Sequence, residues 1–135
     1  MGYVLFVCKW NRFRSKAAEA VFDKINVDKD IHAQSAGLFP GVAVTSDIVE
    51  AGKKIGVSIS KKQQGITHAL LMWSDYIILV ADDVPKSIFT DVVKNDGKKV
   101  IHWEIQDISG TNVDKRVAVM TKIKDEVNKF LANQK

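Results

Sequence analysis

The residues best suited to chemistry lie close together near one end of the chain. Cys8 is the sole cysteine, Arg14 follows six places later, and the run between and just beyond them reads Cys8-Lys9-Trp10-Asn11-Arg12-Phe13-Arg14-Ser15. None of these residues is proline, so every backbone N–H in the run is free to point at a ligand. Successive N–H groups turned inward ahead of a helix form an anion cradle, strengthened by the partial positive charge of the helix N-terminus. An arginine fork matches two oxygens of a phosphate. The thiolate is the nucleophilic form of cysteine, and helix N-termini and nearby cations favour it. Thiolate, fork and cradle together can attack phosphorus and stabilise the equatorial oxygens of an in-line transfer. The bland alternative is a buried cysteine acting as a small hydrophobe beside solvated cations. The scarcity of arginine, with only Arg12, Arg14 and Arg116 in the chain, favours the chemical reading.

Such a cradle needs a strand to deliver the cysteine and a helix to aim its N-terminus. Tyr3 to Cys8 is a short continuous apolar run, the pattern of a strand buried on both faces. Ala17, Ala18, Val21, Phe22 and Ile25 recur at helical spacing, predicting a helix from about Ser15 to Ile25. His32 to Ala36 is a weak strand ended by Gly37, and Phe39-Pro40-Gly41 is loop chemistry. Thr45-Ser46-Asp47 offers capping residues before Ile48, Ala51 and Ile55, with Gly56 at the expected stop. A shorter helix is expected from Gln64 to Trp73, and Tyr76 to Ala81 is the clearest buried strand. Pro85 suits the first turn of a helix ending near Asn95-Asp96-Gly97. Val100 to Ile105 is a fourth strand, and Val113, Val117, Met120, Ile123, Val127 and Phe130 share one face of a final helix. This alternation predicts an α/β fold with a mostly parallel sheet and helices on both its faces, residues 1–135 forming one domain. Ligands of such sheets bind beyond the carboxyl ends of the strands, where Cys8 lies.

Composition removes several classes. With 135 residues, 46% hydrophobic and 27% charged, the chain fits a globular domain with one core. A lone cysteine forms no internal disulfide and suits a reducing compartment. No apolar run approaches the ~20 residues of a membrane helix. The first residues lack a basic lead-in, and Phe6 stands where a myristoylation motif wants Ser or Thr, so a cytoplasmic protein without membrane attachment is expected. The net charge of +4 belongs to Lys9, Arg12, Arg14 and Lys16; the remaining 16 basic residues equal the acidic ones in number. That distribution suits a site for a small dianion and argues against a broad nucleic-acid face. His32, His68 and His102 show no metal-ligand spacing.

The pattern Val7-Cys8-x-x-Asn11-x-x-Arg14-Ser15-x-x-Ala18-Glu19-Ala20 resembles the low-molecular-weight protein tyrosine phosphatase family, whose fold also serves arsenate reductases. Ser35-Ala36-Gly37, Asp75 to Val80 and Asp107 match further family segments in order. The resemblance implies a three-layer α/β/α sandwich with a four-stranded parallel sheet and a phosphate-binding loop between the first strand and first helix. It implies Cys8 as nucleophile, Arg14 as clamp, Ser15 as hydrogen-bond donor to the thiolate and Asn11 as the residue that shapes the loop. It implies Asp107 as the acid that protonates the leaving oxygen, then the base that activates water. Lys9, Trp10, Arg12 and Phe13 complete the phosphate-binding loop. No cofactor and no metal are implied. The expected partner is a phosphorylated substrate, a phosphotyrosine protein or small aryl phosphate, bound by a monomer or weak dimer.

Four departures stand out. Trp10 replaces a usual Gly: either the backbone there needs positive φ, costing roughly 1–2 kcal/mol, or the indole lines the pocket mouth. Lys16 replaces a Pro at the helix start. Ile108 replaces the Pro after the acid, and Ser109-Gly110 stand where the family has an aromatic pair, so aromatic walls must come from Trp10, Phe13 or Phe39. Phe13 occupies the place of a second cysteine, so oxidised Cys8 has no internal partner. The leading expectation is a phosphomonoester hydrolase acting through phosphocysteine. Arsenate reduction with an external thiol and non-catalytic phosphate binding are the alternatives. Asp82-Asp83 after the third strand is expected to serve as a cap or rim pair.

Overall fold

The computed structural model describes residues 2–134. Strands β1 (Gly2–Cys8), β2 (Ile31–Gly37), β3 (Tyr76–Val80) and β4 (Lys99–Trp103) form one parallel sheet in the order β2-β1-β3-β4. Helices α1 (Arg14–Ile25), α2 (Ser46–Lys54), α3 (His68–Trp73), α4 (Thr90–Asp96) and α5 (Val113–Ala132) cover its two faces. The two-residue period of β1 divides the core. Val4 and Phe6 point towards α1, α2 and α5, packing with Val21, Phe22, Ile48, Met120 and Ile123. Leu5 and Val7 point the other way, towards Leu70 of α3 and Phe89. Val4 to Val7 are all 0% exposed, as a strand covered on both faces requires. Each such buried aliphatic or aromatic side chain contributes ~1.5–3 kcal/mol relative to exposure.

The chain passes from β1 to β2 on one side and then returns to β3 on the other. This reversal opens the crevice at the carboxyl end of β1, where ligands of open α/β sheets bind. Cys8 closes β1 at that edge, and the residues following β3 and β4 reach the same edge.

The elements follow the sequence pattern with informative exceptions. The helix expected from Gln64 starts only at His68, capped by Thr67 Oγ1, which accepts from the Leu70 N–H at 3.1 Å. The preceding segment is extended instead: Gly37 N–H donates to Gln64 O at 3.0 Å, and Ile66 N–H to Gly37 O at 3.2 Å. It thereby adds a single parallel bridge, Gly65 beside Gly37, at the last residue of β2. Pro85 precedes a single 3₁₀ turn, Lys86–Phe89, before α4, rather than opening one regular helix. Gly97 ends α4 in the left-handed conformation, φ +67°, that glycine adopts without steric cost. Strand β4 stops at Trp103, two residues short of expectation, because the chain turns to bring Ile105 O beneath the site.

Candidate active site

The loop from Cys8 to Arg14 is shaped by Asn11. Its φ of +51° makes it the one non-glycine residue with positive φ among the described residues, and asparagine tolerates this region better than most residues. Trp10 therefore carries no left-handed penalty. The Asn11 side chain then ties the loop down in three directions. Its Nδ2 donates to Ser15 Oγ at 2.9 Å and to Ser35 Oγ at 3.1 Å, and its Oδ1 accepts from the Gln64 N–H at 2.9 Å. Ser35 in turn donates to Glu19 Oε1 at 2.7 Å. Because Ser15 Oγ already accepts from Asn11, its own proton is free to point at Cys8 Sγ, 3.0 Å away. Asn11, Arg14, Ser15 and Ser35 are all buried, so this network is shielded from competing water.

Gly37 explains itself at the same place. A Cβ there would lie 2.5 Å from the Asn11 nitrogen and 2.7 Å from the Trp10 carbonyl carbon, so only glycine lets the loop pass over the end of β2. Among the described residues no protein acceptor takes the backbone N–H groups of residues 9 to 13. These donors run from the strand end to the start of α1, the arrangement that holds an anion.

Arg14 is 1% exposed, and both terminal nitrogens of its guanidinium are engaged. Its Nη1 donates to Ile105 O at 2.9 Å and Asp82 Oδ1 at 3.4 Å; its Nη2 donates to Asp83 Oδ1 at 3.0 Å. Asp107 Oδ2 lies 3.8 Å from the same Nη2, and Asp107 Oδ1 accepts from the Ile108 N–H at 2.9 Å. The adjacent acids Asp82 and Asp83 thus do more than rim the sheet: they hold the guanidinium. Their sequence signal was their position just past β3, which becomes meaningful once β3 is known to neighbour β1.

Cys8, Trp10, Arg12, Phe13, Arg14 and Asp107 together enclose about 10 Å³ of free space, room for about one water molecule. The three residues expected to do the chemistry therefore share one cavity. The other loop residues have distinct placements. Trp10 lies against Phe39, ring centroids 6.1 Å apart, with Lys9 Nζ 5.0 Å from the Trp10 ring. Phe39 is 58% exposed, so this pair forms an open aromatic lip. Arg12 turns its side chain away, donating from Nε to Ala43 O at 2.8 Å and from Nη2 to Thr45 Oγ1 at 3.3 Å. Phe13 is buried under Arg116 and adds no outer wall. Lys16 is buried as well and donates to Lys62 O; burial pulls its pKa below the usual lysine value, with Glu19 opposing. A larger polar cavity of about 350 Å³ lies behind the loop, bounded in part by Lys16, Glu19, Ser35 and Gln64. Among the described residues no three His, Cys, Asp or Glu side chains are placed to share a metal ion. No helix among them is long and apolar enough to cross a membrane.

Comparison with known proteins bears on the fold and the family. An arginine phosphatase, YwlE, from Geobacillus stearothermophilus superposes with a TM-score of 0.85 at 15% identity, covering 99% of this chain and 93% of that one. A low molecular weight protein tyrosine phosphatase from T. tengcongensis gives a TM-score of 0.79 at 23% identity, with 98% and 99% covered. An arsenate reductase from Archaeoglobus fulgidus gives 0.73 at 24% identity, with 96% and 98% covered. These likenesses show the fold. No curated protein sequence matches the chain. The model of the low molecular weight phosphotyrosine protein phosphatases matches residues 3–135. By that match, this chain belongs to the low molecular weight phosphotyrosine protein phosphatase family.

Proposed function

We propose that the protein hydrolyses phosphomonoesters through a cysteinyl-phosphate intermediate. The observation that carries this reading is the convergence of Cys8, Arg14 and Asp107 on one small cavity beneath a loop of unpaired N–H groups. The phosphoryl group enters as its oxygens replace the carboxylates on Arg14 and take up the loop amides. Cys8 thiolate attacks phosphorus, forming the S–P bond while the P–O bond to the leaving group breaks. Protonated Asp107 passes its proton to the departing oxygen. Water then attacks the thiophosphate, its proton going to the Asp107 carboxylate, and the S–P bond breaks to release phosphate and the thiolate. Ser15 steadies that thiolate at both ends of the cycle, and the amide cradle stabilises the charge spread over the equatorial oxygens. The lip of Trp10 and Phe39 supports aryl phosphates as substrates, since an aromatic ring stacks well against such a pair. Hydrolysis of p-nitrophenyl phosphate in the presence of a chelator and a reductant tests the reading. Turnover is expected in the unaltered protein and its abolition in Cys8→Ser; retained activity in Cys8→Ser sinks the mechanism.

A second substrate class is favoured by Asp82 and Asp83, 44% and 41% exposed at the rim. Once released from Arg14, these carboxylates suit a cationic leaving group such as the guanidinium of phosphoarginine. A phosphoarginine peptide turned over faster than the matching phosphotyrosine peptide selects this class; the opposite ratio rejects it.

A further inference from the structure

We propose that Arg116 is a positioning residue that sets the acid loop in register with the cysteine loop, an inference that rests on Asp107 serving as the acid. Arg116 belongs to α5, far in sequence from Cys8, and is 0% exposed. Its guanidinium reaches three separate parts of the molecule. Nε donates to Asp47 Oδ2 of α2 at 3.0 Å. Nη2 donates to Gly110 O at 2.9 Å. The guanidinium carbon lies 4.6 Å from the centroid of Phe13, the residue that opens α1 from the cysteine loop. Nη1 is the buried side-chain donor left without an oxygen or nitrogen partner among the described residues. Such an orphan is tolerated where the surroundings hold the group in place, and the negative face of the Phe13 ring supplies part of what an acceptor would.

The geometry gives the acid loop two anchors. Arg14 holds Ile105 O, and Arg116 holds Gly110 O, with Asp107 between the two carbonyls. Both anchors are planar buried arginines attached to α1 and α5, so the loop between them cannot shift against Cys8 without breaking a charge-assisted hydrogen bond. Asp47 keeps Arg116 in place. Burial pushes the Asp47 carboxyl up, but hydrogen bonds from Thr45 and Arg116 and the arginine charge outweigh this and leave it below the usual aspartate value. Proton transfer tolerates little misplacement, so losing the hook on Gly110 falls on Asp107, while a lysine stem at this position still packs against Phe13 and spares the anion cradle.

Arg116→Lys keeps the charge and loses the fork. In this variant turnover of phenyl phosphate, whose leaving group needs protonation, is expected to fall about tenfold, within the range that a general acid contributes. Turnover of p-nitrophenyl phosphate falls less than threefold by the same reasoning, and inhibition by inorganic phosphate stays within about twofold. In an Asp107→Ala background Arg116→Lys adds no further loss, because the two changes disable one function. Equal losses for both esters, additive losses with Asp107→Ala, or weakened phosphate inhibition overturns the proposal in favour of a general packing role. Should Arg116→Lys fail to fold, Asp47→Asn loosens the same strut and carries the same expectations at reduced size. Amide hydrogen exchange separates this proposal from the phosphatase reading, since it needs no turnover. Faster exchange in either variant confined to residues 106–112 supports the strut even in an inactive protein; unchanged exchange there, or a rise throughout α5, overturns it.

Discussion

The loop that carries Cys8 and the loop that carries Asp107 meet at one cavity, yet they are held in opposite ways. The cysteine loop is tied by side chains of its own: Asn11 bonds to Ser15 within the loop and reaches Ser35 of β2 and Gln64 across the fold. The acid loop has little internal bonding. Its Asp107 caps only the next N–H, and its fixed points are carbonyls gripped by Arg14 and Arg116 from two helices. The first loop sends its own side chains out to its neighbours; the second is gripped by side chains that other elements send in.

That contrast is open to test, beginning with the largest effect. Arg14→Lys removes the proposed clamp of the first loop and the hydrogen bond that anchors the second at Ile105 O. Loss of p-nitrophenyl phosphate turnover by at least about 10²-fold is expected, since an ammonium cannot replace a planar fork and one oxyanion donor is worth that much. A smaller loss measured by steady-state kinetics breaks the assignment of Arg14 to both loops. Asp107→Ala should act on the second loop alone. Turnover falls by about 10²-fold for poor leaving groups, while the inhibition constant for phosphate holds. If phosphate binding weakens in parallel, the two loops are not separable.

Gly37→Ala addresses the first loop from below. The added Cβ meets backbone at 2.5 Å. A loss of about 1–3 kcal/mol in urea unfolding is expected, together with weaker phosphate binding. A neutral result would mean that the loop does not need its close approach to β2.

The smallest effect concerns pH and the strut behind the second loop. The folded pKa of Asp47 lies below its unfolded value, despite burial, because Thr45 and Arg116 favour the carboxylate. Its contribution to stability is therefore complete above about pH 4, the unfolded value, and is lost as the pH falls through the lower folded value. Urea midpoints measured from pH 6 down to 3 should decline, and Asp47→Asn should flatten that acid limb while lowering the plateau. An unchanged limb removes Asp47 from the linkage.

Much of the first loop was legible in the chain because its parts are sequence neighbours. A proline-free run between an apolar strand and a helical pattern places Cys8 and Arg14, and asparagine at position 11 fits its left-handed backbone. The partners of the segment before α3 were not legible. Gly65 and Thr67 offer a break and a cap, yet nothing in Gln64 to Ile66 shows that they pair with Gly37 and hold Asn11. Asp82 and Asp83 were expected only as a cap or rim pair, and the apolar pattern of the final helix did not single out Arg116. Its burial follows from Asp47 and Phe13, which lie in other elements.

Sequence alone determined the sheet-and-helix alternation and the place of the Cys8 to Ser15 run at a strand-to-helix junction, because each depends on periodicity or on close sequence neighbours. Only the tertiary structure decided which acids face Arg14, why residue 37 must be glycine and how Asp107 is brought to Cys8. The strand order β2-β1-β3-β4 is the physical reason: it sets the carboxyl ends of β1, β3 and β4 side by side, joining residues that the chain keeps many positions apart.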